Sequence, residues 1–269
     1  MTTQLSVYAD PQAEAAGAVS AVVASLPLSF RPAVSAADVT AVAGHAGWTD
    51  RASAAIRNGA KGVVVSAPAA EDTAGLVAAA DTAGSVVVLD LQWAGNPALD
   101  STRENVHGAI ATALEGAVLL DSVAIAAPGT DPLHVLTDQL AVLVQCGIEV
   151  RNVRMVQRNG NGYTVAGTTA DGVPVALQGI LTSALPATAS LTILTSTGRA
   201  DVVLPDPAAA WPAEVRTVTT EGATTLPTLY ESSHRTSWSR VHSHISSGVP
   251  ANDLAQFTAV MSILSQLTS

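Results

Sequence analysis

A chain of 269 residues can bury a large core, and two domains are the natural expectation at this length. Hydrophobic residues make up 48% and charged residues only 13%, which excludes general disorder, and a net charge of −10 excludes a nucleic-acid-binding stripe. A single cysteine, Cys146, excludes an intrachain disulfide.

Leu5 to Ala9 reads as a first strand, and Asp10-Pro11 as the N-cap and first residue of a helix running to Leu26, where Pro27 stops it. Leu28 to Val34 is a second strand that Pro32 confines to a sheet edge or a strand end. Val39 to Ala43 is a short apolar run followed by the loop Gly44-His-Ala-Gly47. Thr49 or Asp50 then caps a helix that ends near Arg57. Val63 to Val65, a helix from about Glu71 to Thr82, and the strand Val86 to Asp90 follow. Short apolar strands alternating with helices predict parallel βαβ units.

A helix from Arg103 to Leu114 and a strand from Val118 to Ala126 come next. Leu133, Leu136, Leu140 and Leu143 share one face of a helix over 132–145, with Gly147 beyond its end. Beyond it the pattern changes. Residues 150–157, 163–168, 173–181, 189–195 and 201–204 read as strands separated by glycine-bearing turns, as in antiparallel hairpins. A polar stretch from Asp206 to Leu226 precedes two terminal helices, near 230–246 and 252–267. The expected fold is α/β: a Rossmann-like parallel-sheet domain over 1–117, then an α+β domain with a large, mostly antiparallel sheet over 118–269.

The chemistry-bearing residues are few. His134 stands near a helix start between Asp131 and Asp138, either of which could orient it as a general acid or base. His234, His242 and His244 lack a recognised metal spacing, and on one helix the last two would point about 200° apart, so no metal is expected. Cys146 lies beside the apolar run 140–144 and reads as inert packing. Lys61, the only lysine, precedes a strand and so belongs to the sheet end opposite a ligand crevice. No apolar run approaches the roughly 18 residues of a membrane span, and no basic segment precedes an apolar stretch near the N-terminus. With one cysteine, a cytoplasmic location without membrane or nucleic-acid partners is expected.

Three stretches resemble the Gfo/Idh/MocA family of NAD(P)-dependent sugar and polyol oxidoreductases. They are residues 59–68 with 84–90, residues 172–179 with 191–206, and residues 242–267. The resemblance implies a sugar- or polyol-like substrate, NAD or NADP as cofactor, and a homo-oligomer built through the C-terminal sheet. It also implies a crevice at the carboxyl ends of the strands, with Tyr8, Asp10, Ser66, Pro68, Asp90 and Trp93 as cofactor candidates, and His134 with Asp131 as catalytic candidates. Two family motifs are replaced: the glycine-rich turn by Ala9-Asp10-Pro11, and Glu-Lys-Pro by the segment from Asp90 to Pro97. A dinucleotide turn needs glycines so that the backbone can approach the pyrophosphate, and a carboxylate stands there instead. The expected function is an oxidoreductase with degenerate cofactor and catalytic motifs. The alternative is a non-catalytic member that binds a ligand or partners an active homologue.

Overall fold

The computed structural model describes residues 4–100 and 103–267. The chain packs as two compact units. Met1–Leu91 with Ser233–Met261 forms the first, and Gln92–Ser232 with Ser262–Ser269 the second.

The first unit is a five-stranded parallel sheet in the order β2-β1-β3-β4-β5. Its strands are β1 (Leu5–Ala9), β2 (Phe30–Pro32), β3 (Val39–Ala43), β4 (Gly62–Ser66) and β5 (Val86–Asp90). Every residue of β4 and β5 is buried, because helices cover both faces. One face packs Val7, Val39, Val64 and Val88 under α1 (Pro11–Gly17), α2 (Val19–Ser25) and α7 (Ser233–Ser247), with Trp238 at its centre. The other packs Val63, Val65, Val87 and Leu89 under α3 (Trp48–Arg57), α4 (Ala74–Ala83) and α8 (Asp253–Ser265), around Trp48 and Phe257. Buried Asp253 accepts the Leu89 N–H at 2.9 Å and pairs with Arg240 of α7, tying both C-terminal helices to β5.

The second unit is an eight-stranded sheet in the order β13-β12-β11-β10-β6-β9-β8-β7. Its central strand β6 (Ala117–Ala126) runs antiparallel to β10 (Thr188–Thr195) and parallel to β9 (Pro174–Leu181). The hairpins expected from the turn residues form between β7 (Val150–Asn159), β8 (Gly162–Thr169) and β9, and between β10 and β11 (Arg199–Leu204). Burial alternates along β9, β10 and β11, so one face is core and the other half-exposed. Helices α5 (Glu104–Glu115) and α6 (Pro132–Gln145) pack on this sheet, α5 against β10 and β11 and α6 against β6 and β9.

Four local expectations change. The helix over 11–26 is two helices, broken at Ala18 in a left-handed conformation (φ 44°). Helix α3 starts at Trp48 on Gly47, because Thr49 is held by Glu71 instead of capping. The polar stretch 206–226 contains β12 (Glu214–Thr219) and the exposed edge strand β13 (Gly222–Leu226). The units divide after Leu91, not at 117, because Val106, Ile110 and Ala113 of α5 are buried in the second unit while α7 returns to the first.

Candidate functional site

In a parallel sheet, ligands bind outside the carboxyl ends of the strands where the strand order reverses. Here that point lies between β1 and β3. The turns beside it are Ala9-Asp10-Pro11 and Gly44-His-Ala-Gly47.

The β1 turn is a helix cap. Asp10 is extended (φ −77°, ψ 168°) and its carboxylate accepts the Ala13 N–H at 2.7 Å, while Pro11 fills the first helical position. Helix α2 is treated likewise. Glu14 reaches forward to accept the backbone N–H of Ser20 at 2.9 Å and its hydroxyl at 3.0 Å, in the first turn of α2. Both short helices therefore carry a carboxylate of this chain at the end that would otherwise attract an anion. Between them, β1 and β2 lies a cavity of about 650 Å³, walled by Val7, Val19, Val23 and Phe30.

The turns after β3, β4 and β5 are laced together. Gly44 N–H donates to Ser66 C=O at 2.8 Å, Ala69 N–H to Gly44 C=O at 2.6 Å, and Ala67 N–H to Asp90 C=O at 3.1 Å. Gly44 must be glycine, since a Cβ would stand 2.4 Å from the Ala67 carbonyl oxygen. Arg51 donates to the carbonyls of Ala43 and Ala46, both at 2.9 Å, so its guanidinium is committed to holding this turn.

Ala43, Ser66 and Asp90 stand in register across β3, β4 and β5. Ser66 is buried with no partner for its hydroxyl, and lies under Gly17, where an added Cβ would come within 2.2 Å of Oγ. Asp90 is 1% exposed; one carboxylate oxygen lies 2.7 Å from Nδ1 of His234 on α7, and the other has no partner. This pair joins residues 144 apart in sequence, which no spacing rule could have connected. Tyr8 lies at the exposure boundary on β1, and Pro68 is buried in the turn after β4.

The remaining candidates belong to the second unit. Trp93 is fully buried, so it packs in a core. Asp131 caps α6 by accepting the Leu133 N–H at 3.0 Å, and Arg158 lies 3.6 Å away. His134 faces Asp138 instead, at 3.5 Å, and that carboxylate is almost wholly buried. The carboxylate beside His134 is thus Asp138. Next to it, Tyr163 donates its hydroxyl to Gln139 at 2.7 Å, and Gln139 donates to Ser122 at 2.9 Å. Burial, reinforced by the charge of Asp138, holds the Tyr163 phenol well above its ordinary pKa, so it stays a hydrogen-bond donor.

His234, His242 and His244 go separate ways. His242 stacks edge-on to Phe30 at 5.6 Å, and His244 lies 2.9 Å from the Val249 carbonyl. Among the described residues, no group of three or more His, Cys, Asp or Glu could hold a metal ion. Lys61 pairs with Asp38 at 2.9 Å at the amino end of the sheet, away from the crevice. Burial pushes the Cys146 thiol up to about 12, which keeps it protonated and inert. Among the described residues no helix is long and apolar enough to cross a membrane.

No protein-family model matches the sequence, and no curated protein matches it. Solved structures do match its fold. A mutant of the 3-ketoreductase KijD10 from Actinomadura kijaniata, in complex with TDP-benzene and NADP, superposes with a TM-score of 0.70 at 13% identity, over 99% of this chain and 97% of that one. The UDP-N-acetylglucosamine 3-dehydrogenase GnnA from Acidithiobacillus ferrooxidans superposes with a TM-score of 0.66 at 12% identity, over 98% of both chains. The chain shares the fold of these two proteins. At such identities the correspondence concerns architecture, and the site must be argued from the residues themselves.

Those residues fit a dinucleotide poorly. A pyrophosphate needs free backbone N–H groups at a helix start and a glycine turn to approach them. At this turn Asp10 takes the N–H that a phosphate would use and sets a like charge beside it.

Proposed function

We propose that the chain is a degenerate oxidoreductase of the Gfo/Idh/MocA type, shaped for a sugar- or polyol-like substrate, with NAD(P)-dependent turnover much reduced. The observation that carries this reading is the match of nearly the whole chain to two enzymes named for sugar 3-keto chemistry, with a carboxylate cap at the cofactor turn. His134, oriented by Asp138, is the acid–base group with geometry suited to moving a substrate proton.

The experiment is a nicotinamide absorbance assay with TDP- and UDP-linked hexoses and each oxidised cofactor. Slow turnover is expected, and His134→Ala should lower it by about 100-fold or more while the protein stays folded. Turnover unchanged by His134→Ala would remove that residue from the reaction.

A second reading, a non-catalytic ligand-binding or partner subunit, is favoured by Asp10 and Glu14 together, since both helix starts beside the crevice are already occupied. Sugar-nucleotide binding without any turnover would select it. In either case we propose assembly through the half-exposed face of the large sheet, where Leu119, Val123, Ile125 and Ile180 are apolar and incompletely buried. Light scattering should find a dimer or larger species at micromolar concentration, and a monomer would oppose this.

A further inference from the structure

The cavity beside α1 and α2 has a chemistry of its own. Its walls come from β1, β2, α1 and α2, and its volume of about 650 Å³ falls within the range of small-molecule sites, roughly 300–1,000 Å³. Val7, Val19, Val23 and Phe30 line it with apolar side chains. Its ionisable rim consists of Asp10, Glu14 and Arg31. Each carboxylate already accepts a backbone N–H of a helix start, Asp10 from Ala13 and Glu14 from Ser20. Among the described residues Arg31 is the only cation of the rim, set against two acidic side chains.

Phosphate recognition is favoured by open N–H donors and several cations, whereas here each helix start gives an N–H to a carboxylate and, among the described residues, the lining holds one cation. We propose that this cavity is a binding site for a small, largely apolar molecule without an anionic group. Its wall supplies the driving force through burial of apolar surface, and its rim rejects phosphates and carboxylates. The inference rests on the proposed function only for the absence of a working dinucleotide seat. It requires neither turnover nor a sugar substrate.

The probe is Nile red, an uncharged dye whose fluorescence rises in apolar surroundings. It is titrated into the full chain, with NADP+ as competitor. Micromolar binding that NADP+ does not displace is expected. Ala24, an exposed residue of α2 on the cavity wall, allows the site to be filled without disturbing the core. Ala24→Trp should weaken the dye by about 10-fold or more with unchanged thermal unfolding. The double variant Asp10→Gly, Glu14→Ala should keep the dye and gain NADP+ affinity, because the side-chain acceptors at both helix starts are removed. Absence of dye binding, equal binding by Ala24→Trp, or displacement by NADP+ from the unaltered protein would each overturn the proposal. Sugar-nucleotide turnover is measured separately, so failure of the oxidoreductase reading would leave these results standing.

Discussion

Helices α1 and α6 both begin on Asp-Pro, and both use the aspartate to accept a backbone N–H of the first turn, at 2.7 Å for Asp10 and 3.0 Å for Asp131. From that shared start α6 runs for 14 residues, while α1 stops after 7. The difference lies in what each helix covers. Residues Val135 to Leu143 of α6 are all buried, so tertiary packing sustains the helix. Helix α1 buries only Ala13 and Gly17, then breaks at Ala18, where the chain turns into α2 and leaves the cavity beneath. A cap fixes where a helix starts, and packing decides how far it goes.

The comparison can be broken first at its buried member. Leu140→Ala in α6 removes a side chain only 1% exposed and should cost about 2–5 kcal/mol in urea unfolding, by lost burial and the cavity left behind. A cost below about 1 kcal/mol would mean that α6 is not held by its core. On α1 the sensitive point is the close approach to β4. Gly17→Leu should cost about 1–3 kcal/mol through overpacking against Ser66, and Ser66→Gly in the same chain should recover part of it. Equal losses in the single and double variants would place the strain elsewhere.

A third carboxylate accepts a backbone N–H between strands instead of at a helix start. Asp38 takes the Ser6 N–H at 2.9 Å and the Ser6 hydroxyl at 2.6 Å. With Lys61 as the larger influence and Ser6 next, its carboxyl is held well below the usual value of 3.8. A pKa depressed on folding adds stability above 3.8 that is lost as pH falls below it. Asp38→Asn should therefore cost about 1–3 kcal/mol at neutral pH and flatten the decline in stability below pH 4. An unchanged acid slope would show that Asp38 is not the group responsible.

The smallest effects belong to the caps themselves. Asp131→Ala should cost about 1 kcal/mol, whereas Asp10→Gly should cost only a few tenths, because glycine is tolerated at that position. Calorimetry on Asp10→Gly should show a gain in NADP+ affinity over the unaltered chain, and no gain would disconnect the cap from cofactor exclusion.

Much of this was legible in sequence because periodicity reports burial. The bounds of α6 match the expected 132–145, and the valine runs gave β4 and β5 their places in a parallel sheet. What stayed hidden depended on distant partners. Nothing local marks Ala18 as the end of α1, since the break serves the approach of Gly17 to Ser66 on another element. The strand β13 is exposed almost throughout and exists by pairing with β12, so hydropathy could not find it. At the site, Asp10 was readable as a cap from Asp-Pro alone, but the Asp90–His234 pair was not. The role of Trp93 as core, and of Asp138 in place of Asp131 beside His134, likewise required coordinates.

Lys61 has a practical consequence. It is the sequence's only side-chain amine, its side chain is 63% exposed, and it stands at the amino end of the parallel sheet. Apart from the α-amino group, amine-directed chemistry has one address on this protein. A biotin or dye attached there would tether every molecule by the end of the first unit opposite the carboxyl ends of its strands. On a sensor chip the carboxyl ends of the parallel sheet would then lie on the side of the first unit away from the attachment point, so analytes could be compared on a uniformly oriented layer.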